Sequence, residues 1–128
     1  MTIKAVTFDL DDTLWPLYDV IMNSHKLSND WLIEKHPQME GILFSSKERE
    51  MWQTLIKAEP SLANRLSELR KKVIETLLVE NGVDLSSASK DSEEAFKIFL
   101  DERHKVTYFE NVLEICRGCF RDVSGPFY

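Results

Sequence analysis

Cysteine is scarce in this chain of 128 residues, with Cys116 and Cys119 the only two. They are too few for a disulfide framework and suit a reducing compartment. No apolar run reaches membrane-spanning length, and Met1-Thr2-Ile3-Lys4 leads into a short alternating segment, not a signal-peptide core. The chain therefore reads as soluble and cytoplasmic, with no membrane partner. An excess of positive charge is missing too. Sixteen Lys and Arg against 22 Asp and Glu leave a formal charge of −6, so no bulk basic surface exists to neutralise a nucleic-acid backbone. Nucleic acid is thereby set aside as a partner. Internal repeats, low-complexity tracts and linkers are also lacking. What is present is enough apolar material, 43%, for one globular domain of ordinary size.

The residues from Ile3 to Phe8 are β-branched and aromatic and run straight into Asp9-Leu10-Asp11-Asp12-Thr13, which reads as a strand entering a polar loop. After Pro16, Leu17, Val20, Ile21, Leu27, Trp31 and Leu32 fall at mostly helical spacing, and this helix should end near His36-Pro37. Ser45-Ser46-Lys47-Glu48 matches a capping box and predicts a second helix from Ser46 to Ala58. Leu62, Leu66, Leu69, Val73 and Leu77 predict a third, stopped by Asn81-Gly82. A serine-rich turn from Ser86 to Ser92 should precede a fourth helix that opens at Glu93-Glu94, buries Ala95, Phe96, Phe99 and Leu100, and ends near His104. Phe109, Val112, Leu113, Cys116 and Phe120 keep helical spacing, but Gly118, Gly125 and Pro126 weaken the last stretch. One strand and four or five helices result. A single strand cannot make a sheet, so it pairs outside the chain, or the tail adds strands, or the fold is incomplete.

Side chains two apart on an extended backbone point the same way, so Asp9 and Asp11 can converge just past the strand. Two crowded carboxylates repel and need a cation or a shared proton. A hard divalent ion such as Mg²⁺ prefers oxygen ligands and would also hold a phosphate oxygen, which makes phosphoryl transfer the natural chemistry. One carboxylate would attack phosphorus; the other would protonate the leaving oxygen and then activate water.

Phe8-Asp9-Leu10-Asp11-Asp12-Thr13-Leu14-Trp15, after Ala5-Val6-Thr7, resembles the first signature motif of the haloacid-dehalogenase superfamily, the DxDxT loop of its phosphatases. The resemblance implies an α/β fold: the first strand and catalytic loop of a Rossmann-like core (residues 1–15), a helical cap (16–105), and a return segment with an atypical tail (106–128). It implies that Asp9 is the nucleophile and a Mg²⁺ ligand, and that Asp11 is the general acid/base, with its main-chain carbonyl on the metal. Leu10 and Thr13 would support the loop or touch substrate, and Asp12 would have no chemical role. The implied activity is that of a Mg²⁺-dependent phosphatase, a phosphoric monoester hydrolase acting on a small phosphorylated metabolite through an aspartyl-phosphate. In such enzymes a cap closes over the substrate and excludes water.

The family's other motifs are a strand ending in Ser or Thr, a Lys and an acidic pair, and none is found after the cap. Val123-Ser124-Gly125 is only a poor imitation of the second, since Arg121 and Asp122 spoil the strand before it. The tail from Cys116 shifts toward Cys, Gly, Arg and Pro, as expected of a truncated or frame-altered copy with impaired activity, and an unpaired strand makes self-association an expectation. The alternative function is a non-catalytic helical binding module that keeps the loop as a relic. The bland readings of the remaining residues are preferred. His25, His36 and His104 are read as surface or capping residues, Trp15 as packing under the cap, and Trp31 and Trp52 as core. Arg70-Lys71-Lys72 is read as a solvated helix face, and Cys116 and Cys119 as buried or incidental thiols.

Overall fold

The computed structural model describes residues 4–122. Pro16 holds an extended backbone just before α1 (Leu17–Lys35), which ends one residue short of His36-Pro37, as the sequence predicts. A short 3₁₀ turn, Pro37–Met39, then leads to α2 (Ser46–Ala58). The Ser45 hydroxyl accepts the Lys47 N–H at 3.1 Å. Glu48 also reaches back, but to the N–H of Phe44 at 2.6 Å, one residue before the cap of the expected box. Phe44 sits at φ 61°, and this left-handed turn is what brings its N–H within reach of Glu48.

Leu62 does not belong to the third helix but to a separate 3₁₀ turn, Pro60–Asn64, and α3 runs Leu66–Glu80. Its end is a Schellman motif: Val83 N–H reaches Leu78 O at 3.0 Å and Gly82 N–H reaches Val79 O at 3.1 Å. Gly82 adopts φ 90°, which a side chain would resist. Helix α4 (Leu85–Arg103) corrects the serine-rich turn, because residues 86–92 are helical. Serine is a mediocre helix former, but Asp84 caps the start by accepting the Ser87 N–H at 3.0 Å, and Ala88, Asp91 and Ser92 are buried. Helix α5 (Val112–Asp122) continues through Gly118.

The core lies among α1 to α4. Helix α4 packs on both α1 and α3, and α2 packs on α3. Leu32, Met39, Leu62, Leu69, Val73 and Leu78 are almost wholly buried, with Trp31 and Trp52 packed against them as expected. Small residues at the α1–α4 seam allow close approach, and the Ser28 hydroxyl donates to the main-chain oxygen of Ala95 at 2.8 Å.

The expected strand is corrected as well. Residues 4–10 are irregular, and the described residues contain no sheet, only an isolated bridge between Asp11 and Trp15. The physical reason is that a strand is defined by its ladder, and nothing among the described residues offers these backbone groups a partner. Val6, Phe8 and Leu10 are accordingly exposed. Val123-Ser124-Gly125 lies outside the described residues.

Candidate active site

The acidic loop closes on itself through main-chain hydrogen bonds. Leu10 O accepts the N–H groups of Thr13 and Leu14 at 3.2 and 2.8 Å, and Asp12 N–H donates to Trp15 O at 2.8 Å. Asp12 adopts φ 56°, a conformation that Asp tolerates better than most residues. Its carboxylate accepts the Leu17 N–H at 2.8 Å and so satisfies one of the free donors at the start of α1. Asp12 thus has a structural task that joins loop to helix. The support that Leu10 gives to the loop runs through its carbonyl, since its side chain is exposed.

Asp9 stands exposed at the end of the irregular segment, one carboxylate oxygen accepting the N–H of Leu10 at 2.9 Å. Asp11 is engaged differently. One of its oxygens accepts the Trp15 indole N–H at 2.9 Å, and Arg103 Nη2 donates to both oxygens at 2.8 and 3.0 Å. Arg103 comes from the last turn of α4 and was missed in the sequence, where a basic residue at a helix C-terminus reads as a partner of the helix dipole. Thr13 lines a small cavity of about 140 Å³ with Phe8, Leu14, Val112, Ile115 and Cys116. Both cysteines are half-buried and free.

The return segment reaches the same loop. Phe109 N–H donates to Leu14 O at 2.9 Å, and Tyr108 meets Trp15 edge to face with ring centroids 5.8 Å apart. Both crossings between loop and helical bundle, residues 15–17 and 103–109, are therefore tied to the turn that carries Asp11. The described residues contain no group of three or more His, Cys, Asp or Glu side chains able to hold a metal. Asp9 retains a carboxylate oxygen facing solvent, which fits the one or two carboxylates that Mg²⁺ takes when water and substrate phosphate fill the rest of its sphere. The Asp11 side chain is committed to Arg103 and Trp15.

Two basic residues read as peripheral are partly buried against aromatic rings. His25 packs between Phe44 and Phe99, with ring centroids 5.5 and 5.1 Å away. Burial and then the charge of Arg70 push its pKa down to about 4. The Arg70 guanidinium lies 3.7 Å from the Phe99 ring centroid, and burial, opposed by the charge of Glu48, brings its pKa down to about 10. His25 also lines a groove of about 330 Å³ with Ile21, Met22, Phe44, Glu48 and Trp52. His36 is the C-cap of α1, in line with the capping alternative, but its ring is largely covered. With Lys35 it pairs with buried Asp91, at 2.7 and 2.5 Å. Burial works to raise the Asp91 pKa, but the hydrogen bonds and charges of Lys35 and His36 prevail and lower it. Lys72 keeps to the surface and pairs with Glu59, whereas Lys71 is half-buried, pairs with Glu93 and lies over the Phe96 ring.

No protein-family model matches the chain. It is similar to the 5-amino-6-(5-phospho-D-ribitylamino)uracil phosphatase YigB of Escherichia coli (strain K12), with 27% identity over 104 residues, 81% of this chain and 43% of that protein. It is also similar in structure to a 2-haloacid dehalogenase from Pseudomonas syringae pv. Tomato DC3000, with a TM-score of 0.84 and 34% identity over 94% of this chain and 52% of the other. The chain thus spans about half the length of each relative it matches. In its Asp-x-Asp-x-Thr loop ahead of a helical bundle, and in both of these likenesses, the chain is similar to haloacid-dehalogenase-like hydrolases.

Proposed function

We propose that this chain supplies the nucleophile loop (residues 1–15) and the helical cap (16–105) of a phosphatase acting on a small phosphorylated metabolite. The observation that carries the reading is the exposed Asp9 carboxylate at the mouth of a hydrogen-bonded turn, two residues from a second carboxylate held in a fixed place. An Asp9 oxygen attacks phosphorus, and the P–O bond to the leaving group breaks. Asp11 in its acid form gives a proton to that leaving oxygen. Asp11 then takes a proton from water, whose oxygen attacks the aspartyl-phosphate and frees Asp9 and phosphate. Asp9 would hold Mg²⁺, which when bound neutralises charge on the phosphoryl oxygens. The helical bundle, with α1 and α4 leading from and back to the loop, would exclude water from the reacting atoms.

A halide-displacing reaction of the kind the dehalogenase's name describes is the lesser reading for this chain. A departing halide needs no proton, so Asp11 would have no task there. The relic reading, a helical binding module without catalysis, is favoured by one observation, the engagement of Asp11 by Arg103. Hydrolysis of p-nitrophenyl phosphate with and without Mg²⁺, by the purified chain and by Asp9→Asn, tests the proposal. The expected result is Mg²⁺-dependent turnover that falls at least a hundredfold in Asp9→Asn. Equal rates for the two proteins would remove the enzymatic reading, and halide release from a 2-haloacid without phosphatase turnover would replace it.

A further inference from the structure

The Arg103–Asp11 contact joins residues 92 positions apart and is a side-chain link from the end of α4 to the acidic turn. It does not stand alone. Trp15, at the outgoing crossing, donates to the same Asp11 oxygen that Arg103 meets at 2.8 Å. Next to Arg103, Glu102 accepts from Asn23 of α1 at 2.6 Å and pairs with Lys105 at 2.6 Å, which fixes the end of α4 against α1. Any swing of the bundle relative to the loop must therefore break the guanidinium–carboxylate contact or carry the Asp11 side chain along. Arg103 is the group that changes in that event, since Trp15 and Asp11 belong to one turn and move together.

We propose that Arg103 is a positioning residue for Asp11, one that sets the orientation of its carboxylate from the far end of the bundle and thereby couples bundle position to the acid/base group. The inference rests on the role given to Asp11 above, but the contact itself is measurable without turnover. Guanidinium suits the task better than ammonium: the N–H groups of Nη2 are fixed in the guanidinium plane, so the two carboxylate oxygens that they meet are held in direction as well as distance. Asp11 satisfied in this way keeps its place without being sealed from the groups it must serve, since 40% of its side chain remains exposed.

The test follows the Trp15 indole N–H in ¹H–¹⁵N NMR spectra of the full chain, assigned with Trp15→Phe. Arg103→Met is expected to shift that resonance and speed its exchange with solvent at least fivefold, Arg103→Lys to restore part of both, and Asp9→Asn to leave both unchanged. A folded Arg103→Met protein with an unmoved indole signal would overturn the proposal. Should Arg103→Met fail to fold, Asp11→Asn reads the same contact from the other side, through the Arg103 side-chain N–H signals, and unchanged signals there overturn it equally. Kinetics supply the functional arm: p-nitrophenyl phosphate hydrolysis by Arg103→Met should lose about tenfold in kcat with KM within twofold, and Arg103→Lys should recover part of it. A purely structural Arg103 would lower apparent kcat only in proportion to the folded fraction, with KM unchanged, so that the rate per folded molecule, with the folded fraction read by circular dichroism, would match wild type in both variants. If neither the wild type nor Asp9→Asn turns over, the phosphatase reading fails, while the indole signal still decides whether Arg103 positions Asp11.

Discussion

Replacing His25 by Phe should make the protein less sensitive to mild acid. The His25 ring is packed between Phe44 and Phe99 with Arg70 nearby, and its pKa in the folded chain falls from 6.5 to about 4. The folded state therefore resists the proton that the unfolded chain accepts. Stability that depends on neutral His25 is fully present above about pH 6.5 and is lost progressively as pH falls toward 4, with no further loss below that. A tenfold change in proton affinity is about 1.4 kcal/mol, so the whole depression is worth on the order of 3 kcal/mol at most. Solvent still reaches part of the ring, and allowance for its screening brings the figure to about 1–2 kcal/mol. Phenylalanine keeps the aromatic contacts and removes the titration. Urea unfolding followed by circular dichroism at pH 7 and pH 5 should show wild-type stability falling by about 1 kcal/mol more than that of His25→Phe. Parallel losses in the two proteins, or an NMR titration of His25 centred near 6.5, would refute the argument.

Asp91→Ala removes the buried acceptor that Lys35 and His36 share, and a loss of about 2 kcal/mol is expected in urea unfolding, moderated because Lys35 can turn to water. Because the folded-state pKa of Asp91 is lowered, its contribution is present above its ordinary value of 3.8 and disappears as pH falls below it, so wild type and Asp91→Ala should converge only in strong acid. Arg70→Lys should cost about 1 kcal/mol despite keeping the charge, since the close contact of the guanidinium with the Phe99 ring is lost, and a thermal melt that matches wild type would contradict that account.

The helices were legible because their signals are local. Ser45 before the run from Ser46 to Ala58, and Asn81-Gly82 after α3, mark ends through single hydrogen bonds a few residues long. The start of α4 was misplaced for a complementary reason: serines from 86 to 92 favour a turn locally, while the burial of Ala88 and Ser92 that overrules them comes from distant chain. His25 and Arg70 were misjudged in the same way. Helical spacing shows which residues share a face, but not that Phe99 of α4 will cover that face.

The candidate site divides along the same line. Sequence alone determined the acidic loop, the placing of Asp9 and Asp11 two apart, and the run of helices that follows, because each depends on covalent spacing and on bonds between near neighbours. Only the tertiary structure decided that the Asp11 carboxylate belongs to Arg103 and Trp15 while Asp9 faces solvent, and that the segment from 4 to 10 has no ladder among the described residues. A partner 92 residues away is chosen by how α4 lies against α1, and a strand by what lies beside it, and neither choice is made by the residues that receive it.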